Sequence, residues 1–309
     1  MYNRAELKLG AKETLANLER SPASTTFVYL MLTAILSGLA FFIVFHVNVL
    51  TDRRFLTDPV EFFLNYSENV IPGSSAMTYV ISFVTAILGT GYLRYVMKIS
   101  RGQSGGTRDV FSAFNLTLKI IGMQIVTTVF MVLWMIPGYI VWTIVYIVVI
   151  GAVFVTFITD ISAQFSNPGD IDFDEITEIV EDYLNDHPEM VSTLITVTVI
   201  FVLLMFVAMI PSYIAMYRYR LAIFILLDNH DYRIMECINE SKRLMRGNKG
   251  KLFVLDLSFI GWGLLFSLTF NIVGIWKLAY LQLTHVRFYE FLSGSRGAVP
   301  LTTELPPVE

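Results

Sequence analysis

Residues 120–159 form a run of forty amino acids without one formal charge. A helix that crosses the ~30 Å hydrocarbon core of a bilayer needs about 20 mostly apolar residues. At ~1.5 Å per residue, this run would measure about twice that thickness. It is therefore expected to fold back on itself. Pro137 and Gly138 stand near its middle, where proline interrupts helical hydrogen bonding and glycine permits a turn. Two helices are predicted, over about 119–136 and 139–159.

Similar uncharged runs cover residues 26–50, 76–93 and 191–217, the last divided by Pro211 and followed by apolar residues 221–227. Residues 252–276 hold Asp256 as their one charge, and FNIVG at 270–274 reads as a turn before a more polar helix over 275–292. The expected fold is an all-α polytopic transmembrane bundle of about eight segments, or six if 212–228 or 275–292 do not cross. Composition agrees: charged residues are 16% of the chain, against about 25% in soluble domains. The mean hydropathy is +0.61. MIPGYI (135–140) and MIPSYI (209–214) differ at one position and suggest a duplicated proline-turn hairpin, a device of transporters.

Lysine and arginine gather on the cytoplasmic side of membrane proteins. Here they cluster in the N-terminal arm (1–25), in 94–119 and in the loop 229–251. Eight segments place all three, and both termini, inside. The single domain is expected over 26–292, with a flexible tail at 293–309. The first twenty residues carry charges throughout and do not resemble a signal peptide. Leu7, Ala11, Leu15 and Leu18 form an apolar stripe in this arm.

The loop 229–251 holds the densest positive charge. Ile234, Ile238, Ser241 and Met245 are spaced along one face of a helix, with Asp231 suited to cap it and Gly247 to end it. Lys242, Arg243, Arg246, Lys249 and Lys251 then stand directly before the apolar run at 252. Basic amphipathic helices bind headgroups, so these five are candidate contacts for anionic lipid. The competing reading is a topology anchor alone.

The segment 160–190 is the reverse, with ten carboxylates and no lysine or arginine. Asp170, Asp172, Asp174, Glu178 and Glu181 fall at positions 1, 3, 5, 9 and 12 of a calcium loop. Glu175 occupies the sixth position, where such loops need glycine. An amphipathic helix burying Phe173, Ile176, Val180, Tyr183 and Leu184 competes with that reading. Ionisable groups at membrane depth are functional candidates by default. Asp256, Arg218 and Arg220 qualify, with Lys249, Lys251, Arg218 and Arg220 as possible partners of Asp256. The four histidines are scattered and one cysteine, Cys237, excludes an internal disulfide. No phosphate loop, HExxH or GxSxG motif occurs. No cofactor, metal or nucleic acid is implied, and no catalytic residue is assigned.

ESKRLMRGNKGKLFVLDLSFIGWGLL (240–265) closely resembles the signature of a bacterial membrane family, domain of unknown function 975. Ser241, Met245, Gly247, Asn248, Lys249, Phe253, Ser258, Phe259, Gly261 and Trp262 fit that signature. Segments at 210–229, the N-terminal arm and RFYEFL (287–292) extend the likeness. Ala279 and His230 stand where members carry proline, and residues 139–208 look inserted relative to shorter members. The resemblance implies a multi-pass protein of the bacterial cell membrane and supplies no catalytic residues. A non-enzymatic module that binds anionic lipid or a membrane partner is the leading expectation. A small transporter using Asp256 and the proline-broken hairpins is the alternative, with an intramembrane enzyme behind it.

Overall fold

The computed structural model describes residues 3–45, 72–162 and 188–294, and every regular element among them is helical. The acidic cation candidates Asp170, Asp172, Asp174, Glu178 and Glu181, with His46, His187 and the tail, lie outside the described residues.

The arm forms α1 (Arg4–Ala16), started by Asn3, whose side chain accepts from the Ala5 N–H at 3.0 Å. Ala11 of its predicted apolar stripe is fully buried, and Leu7 and Leu15 are half-buried. The uncharged run after it forms α2 (Ala23–Phe45), which packs against α3 (Pro72–Ser100). The two are antiparallel. Thr26 and Tyr92 share a hydroxyl hydrogen bond at 2.9 Å, and Tyr29 stacks on Tyr92 at 4.5 Å. A short helix, α4 (Arg108–Phe111), presses on α3 at Gly91, where a Cβ would land on the Val110 carbonyl.

A single helix, α5 (Thr117–Ser162), follows a 3-10 turn over Ser112–Leu116. It runs through Pro137 without a turn, which overturns the expected hairpin. Proline removes one helical hydrogen bond, and helices in an apolar medium tolerate that loss when neighbours re-satisfy the backbone. Pro211 likewise lies inside α6 (Pro188–Tyr219) rather than dividing it. Four helical stretches are long and apolar enough to cross a membrane: 23–43, 76–100, 108–151 and 195–228. A bent pair makes a fifth if it counts as one span, so the expected eight and six are not reached among the described residues.

The described chain divides into two compact units. Residues 127–216 hold α5 from Thr127 onward and α6 as far as Met216, which run antiparallel. Trp142 packs edge-on against Phe201, and its Nε1–H donates to the Phe201 carbonyl at 3.4 Å. Gly138 of the first MIPxYI motif lies against the backbone of Ala208, beside the second, so the helices meet where a side chain would clash. Leu133, Ile140, Ile147, Leu203 and Val207 of this unit are among many large apolar side chains left exposed, a surface suited to lipid rather than water.

The other unit continues through α7 (Ala222–Asp228), α8 (Ile234–Leu244), α9 (Lys249–Leu257), α10 (Ile260–Leu268) and α11 (Gly274–Ser293). Helices α9 and α10 bend by 45° at Ser258 and Phe259. The predicted FNIVG turn is present, with Phe270 and Asn271 at positive φ. After it, α11 packs on α1, α2 and α3. Its first residue, Gly274, stands opposite Leu30, only seven residues into α2.

Candidate functional site

The basic loop is built on a helix whose apolar face is already used. In α8, Cys237, Ile238, Ser241 and Leu244 are buried, and Met245 just beyond is fully enclosed. This is the face predicted from spacing. The cap differs: Glu236, not Asp231, closes the first turn by accepting from the Arg233 N–H at 2.8 Å. The helix ends at Leu244, and Gly247 takes φ +78, a left-handed conformation that favours glycine.

The charged side chains of this loop face outward. Arg243 donates from Nε and Nη2 to Glu240 at 2.8 and 2.5 Å, holding that carboxyl below its ordinary value. Lys242 donates to Asn239 at 3.3 Å and lies 5.7 Å from the Tyr219 ring centroid. Arg246 is exposed and Lys249 half-exposed. Lys251 donates to Asn248 at 2.7 Å, while Asn248 braces the Leu244 carbonyl at 2.9 Å.

Several signature residues therefore build this corner. Ser241 donates to the Arg218 carbonyl at 3.0 Å, tying α8 to the end of α6. Ser258 donates to Leu255 at 2.5 Å beside the α9–α10 bend, and Phe259 is buried there. Phe253 packs edge-on to Tyr217 at 6.1 Å, and Trp262 faces Lys277. Gly261 is exposed, with no atom near its missing side chain.

Asp256, one turn before the bend, has a partner the sequence did not suggest. His285 of α11 places Nε2 2.6 Å from Asp256 Oδ1, the ring N–H donating to the carboxylate. Arg220, one of the expected partners, approaches to 3.9 Å. The phenol of Tyr217 adjoins the same carboxylate. Phe259 packs edge-on to His285 at 6.1 Å and to Tyr280 at 5.7 Å, and Lys8 of α1 lies 4.4 Å above its ring centroid. Burial, with Arg4 and Lys12 nearby, holds the Lys8 ammonium below its ordinary value.

A second polar cluster joins three helix ends. Arg101, just past α3, donates from Nη1 and Nη2 to both carboxylate oxygens of Asp228 at 2.7 and 2.9 Å. Its Nε reaches Glu290 at 3.3 Å. Ser100 donates to Glu290 at 2.9 Å, and Tyr289 to Asp228 at 2.8 Å. The Asp228 hydrogen bonds raise Arg101 above its ordinary value. Burial pushes Glu290 up, against the pull of Ser100 and Arg101. Arg101, Asp228 and Glu290 each stood in a segment marked as charged or family-like, but nothing in the sequence pairs them.

Two hollows adjoin α1. A cleft of about 1390 Å³ opens between α1 and the glycine-rich stretch 102–106, lined by both signs of charge, among them Glu6, Glu13, Arg20 and Arg108. A smaller pocket of about 300 Å³ is lined by Lys12, Leu15, Trp262, Trp276, Lys277 and Tyr280. Among the described residues, no group of three or more His, Cys, Asp or Glu is placed to hold a metal ion.

Neither a curated protein nor a solved structure matches the chain. A family model described as "Protein of unknown function (DUF975)" matches residues 1–296, so the chain belongs to that family.

Proposed function

We propose that this member of the DUF975 family is a non-enzymatic membrane module that holds anionic lipid along its basic edge, at the cytoplasmic face of a bacterial cell membrane. One observation carries the reading. The apolar face of α8 is spent in the protein's own core, so its charged face is fixed outward. Directly beside it, Phe253, Leu257, Ile260 and Leu264 of the α9–α10 pair are exposed and apolar. A cationic band against a greasy band matches the boundary between headgroups and acyl chains, where each Lys or Arg adds ~1 kcal/mol towards anionic lipid.

This reading takes α2, α3, α5 and α6 as four crossings and the bent α9–α10 pair as a re-entrant hairpin. The contact of Gly274 with Leu30 supports it. Seven residues into α2 is ~10 Å at ~1.5 Å per residue, a third of a bilayer core. Helix α11 then climbs back until Glu290 meets Ser100, at the charged end of α3. Four crossings leave both termini on one side, and the clustering of lysine and arginine supports a cytoplasmic assignment for that side. A Phe270→Cys variant should resist an impermeant thiol reagent applied from outside. Labelling from outside would make the pair a full span.

Native mass spectrometry of the gently extracted protein tests the lipid reading. Stoichiometric anionic lipid is expected, and neutralising Lys242, Arg243, Lys249 and Lys251 together should lower its retention. Unchanged retention in a folded variant would refute it. Co-purifying subunits in place of lipid would make the basic edge a partner-docking face.

The Asp256–His285 pair favours a second reading, a small proton-coupled transporter. It predicts that Asp256→Asn abolishes a measurable flux while the fold survives. The continuous α5 and α6 remove the proline-broken hairpins from its support.

A further inference from the structure

The pocket between α1 and the re-entrant hairpin has a composition that the basic edge lacks. Lys12 comes from α1, Trp262 from α10, and Trp276, Lys277 and Tyr280 from the start of α11. Lys277 lies 5.2 Å from the Trp262 ring centroid, which fixes its ammonium at the pocket wall. Among the described residues, neither Lys12 nor Lys277 has a carboxylate partner. Two lysines thus line one hollow with no carboxylate in its wall, alongside two indoles and a phenol.

We infer that Lys12, Lys277, Trp262, Trp276 and Tyr280 form a seat for one anionic phospholipid headgroup, a specific site within the lipid-binding reading on which this inference rests. Size and depth agree. A pocket of about 300 Å³ accepts a phosphate with its glycerol but not acyl chains. The chains have an apolar track beside it, since Leu264 and Leu268 of α10 are 64% and 79% exposed. Lys277 is three residues from Gly274, ~5 Å nearer the surface than the hairpin turn. From there, ~5 Å inside the edge of the core, the lysine stem snorkels its ammonium to the headgroup level, where tryptophan, tyrosine and lysine anchor membrane proteins. A zwitterionic headgroup would bring its own cation against two ammonium groups with no carboxylate to receive it, so the seat selects net negative lipid.

The test is native mass spectrometry of the full chain, titrated separately with phosphatidylglycerol, phosphatidylcholine and inorganic phosphate. The wild type should take up one tight phosphatidylglycerol and neither of the other two. The double variant Lys12→Gln with Lys277→Gln should weaken that one binding event roughly 25-fold, about five-fold per lysine. Lys12→Arg with Lys277→Arg should restore it. Trp276→Ala, at a position 60% exposed, is the second variant should the glutamine pair fail to fold, and it should speed loss of the same lipid. Equal affinity for phosphatidylcholine or free phosphate would overturn the headgroup seat. So would unchanged uptake by the glutamine pair alongside reduced uptake by the basic-edge variant, which leaves the broader reading standing. Unchanged uptake by both variants would sink the two together.

Discussion

His285 and Asp256, 29 residues apart in sequence, meet at 2.6 Å beside the bend between α9 and α10. The contact pins the bent α9–α10 pair to α11 through a charge-assisted hydrogen bond, shorter and stronger than a neutral one. Residues in direct contact couple by about 0.5–3 kcal/mol in double-mutant cycles. Asp256→Asn and His285→Ala are each expected to lower thermal stability in mild detergent, and the double variant to fall little further than the worse single. Additive losses would mean that the pair is not a functional contact for stability.

The Arg101–Asp228 grip uses both ends of a guanidinium fork, which lysine cannot reproduce. Arg101→Lys should therefore behave as a disruptive change, costing about 1–3 kcal/mol, below the 3–5 of a fully buried broken pair. Heat-induced unfolding of the detergent-solubilised variant measures it. A melting temperature equal to wild type would show that charge alone suffices.

Glu290 titrates in the direction opposite to an ordinary ion-paired carboxylate. Burial raises its folded-state value, so folding strengthens proton binding. The stability linked to this proton is full below the unfolded carboxyl value, ~4.3, and is lost as pH rises through the raised folded value. Glu290→Gln, a mimic of the protonated form, should match or exceed wild type at neutral pH, and the difference should shrink on acidification. A variant less stable at pH 7 than at pH 4, relative to wild type, would mean that the Arg101 contact outweighs burial.

Gly91 lets α3 touch the backbone of α4, and no side-chain movement can clear that contact. Gly91→Ala should cost about 1–3 kcal/mol, the usual range for overpacking. Gly38→Ala in α2, where nothing lies within 4 Å, is expected to leave the melting temperature unchanged or slightly raised.

Local features were legible because local physics decides them. The spacing of Ile238, Ser241 and Met245 marks the buried face of α8, and FNIVG marks the turn before α11. Pro137 misled because the rule that proline ends a helix belongs to water-exposed chains. Within an apolar run no competing solvent captures the freed carbonyl, so α5 continues. The eight-segment count is not reached among the described residues. Asp256 was visible as an anomaly, but its partner was not, because His285 sits in a segment whose polarity blurred it among four other polar residues. The Lys12 and Lys277 pocket was invisible for the same reason. It joins residues from the two ends of the chain.

The cluster that ties Ser100 and Arg101 to Asp228 and Glu290 also sets a timetable. Its members become available in the order of synthesis, Asp228 lying 127 positions and Glu290 189 positions after Arg101. From the synthesis of Arg101 until that of Asp228, the guanidinium at the end of α3 waits with neither carboxylate made. Long separations delay such closures, since the chain must first surrender the freedom of everything in between. The segments before α11 must then enter the bilayer without the clasp that later holds them. A ribosome stalled before Glu290 should leave a nascent chain already inserted yet open to proteases at 101–109, and release of the last helix should close it.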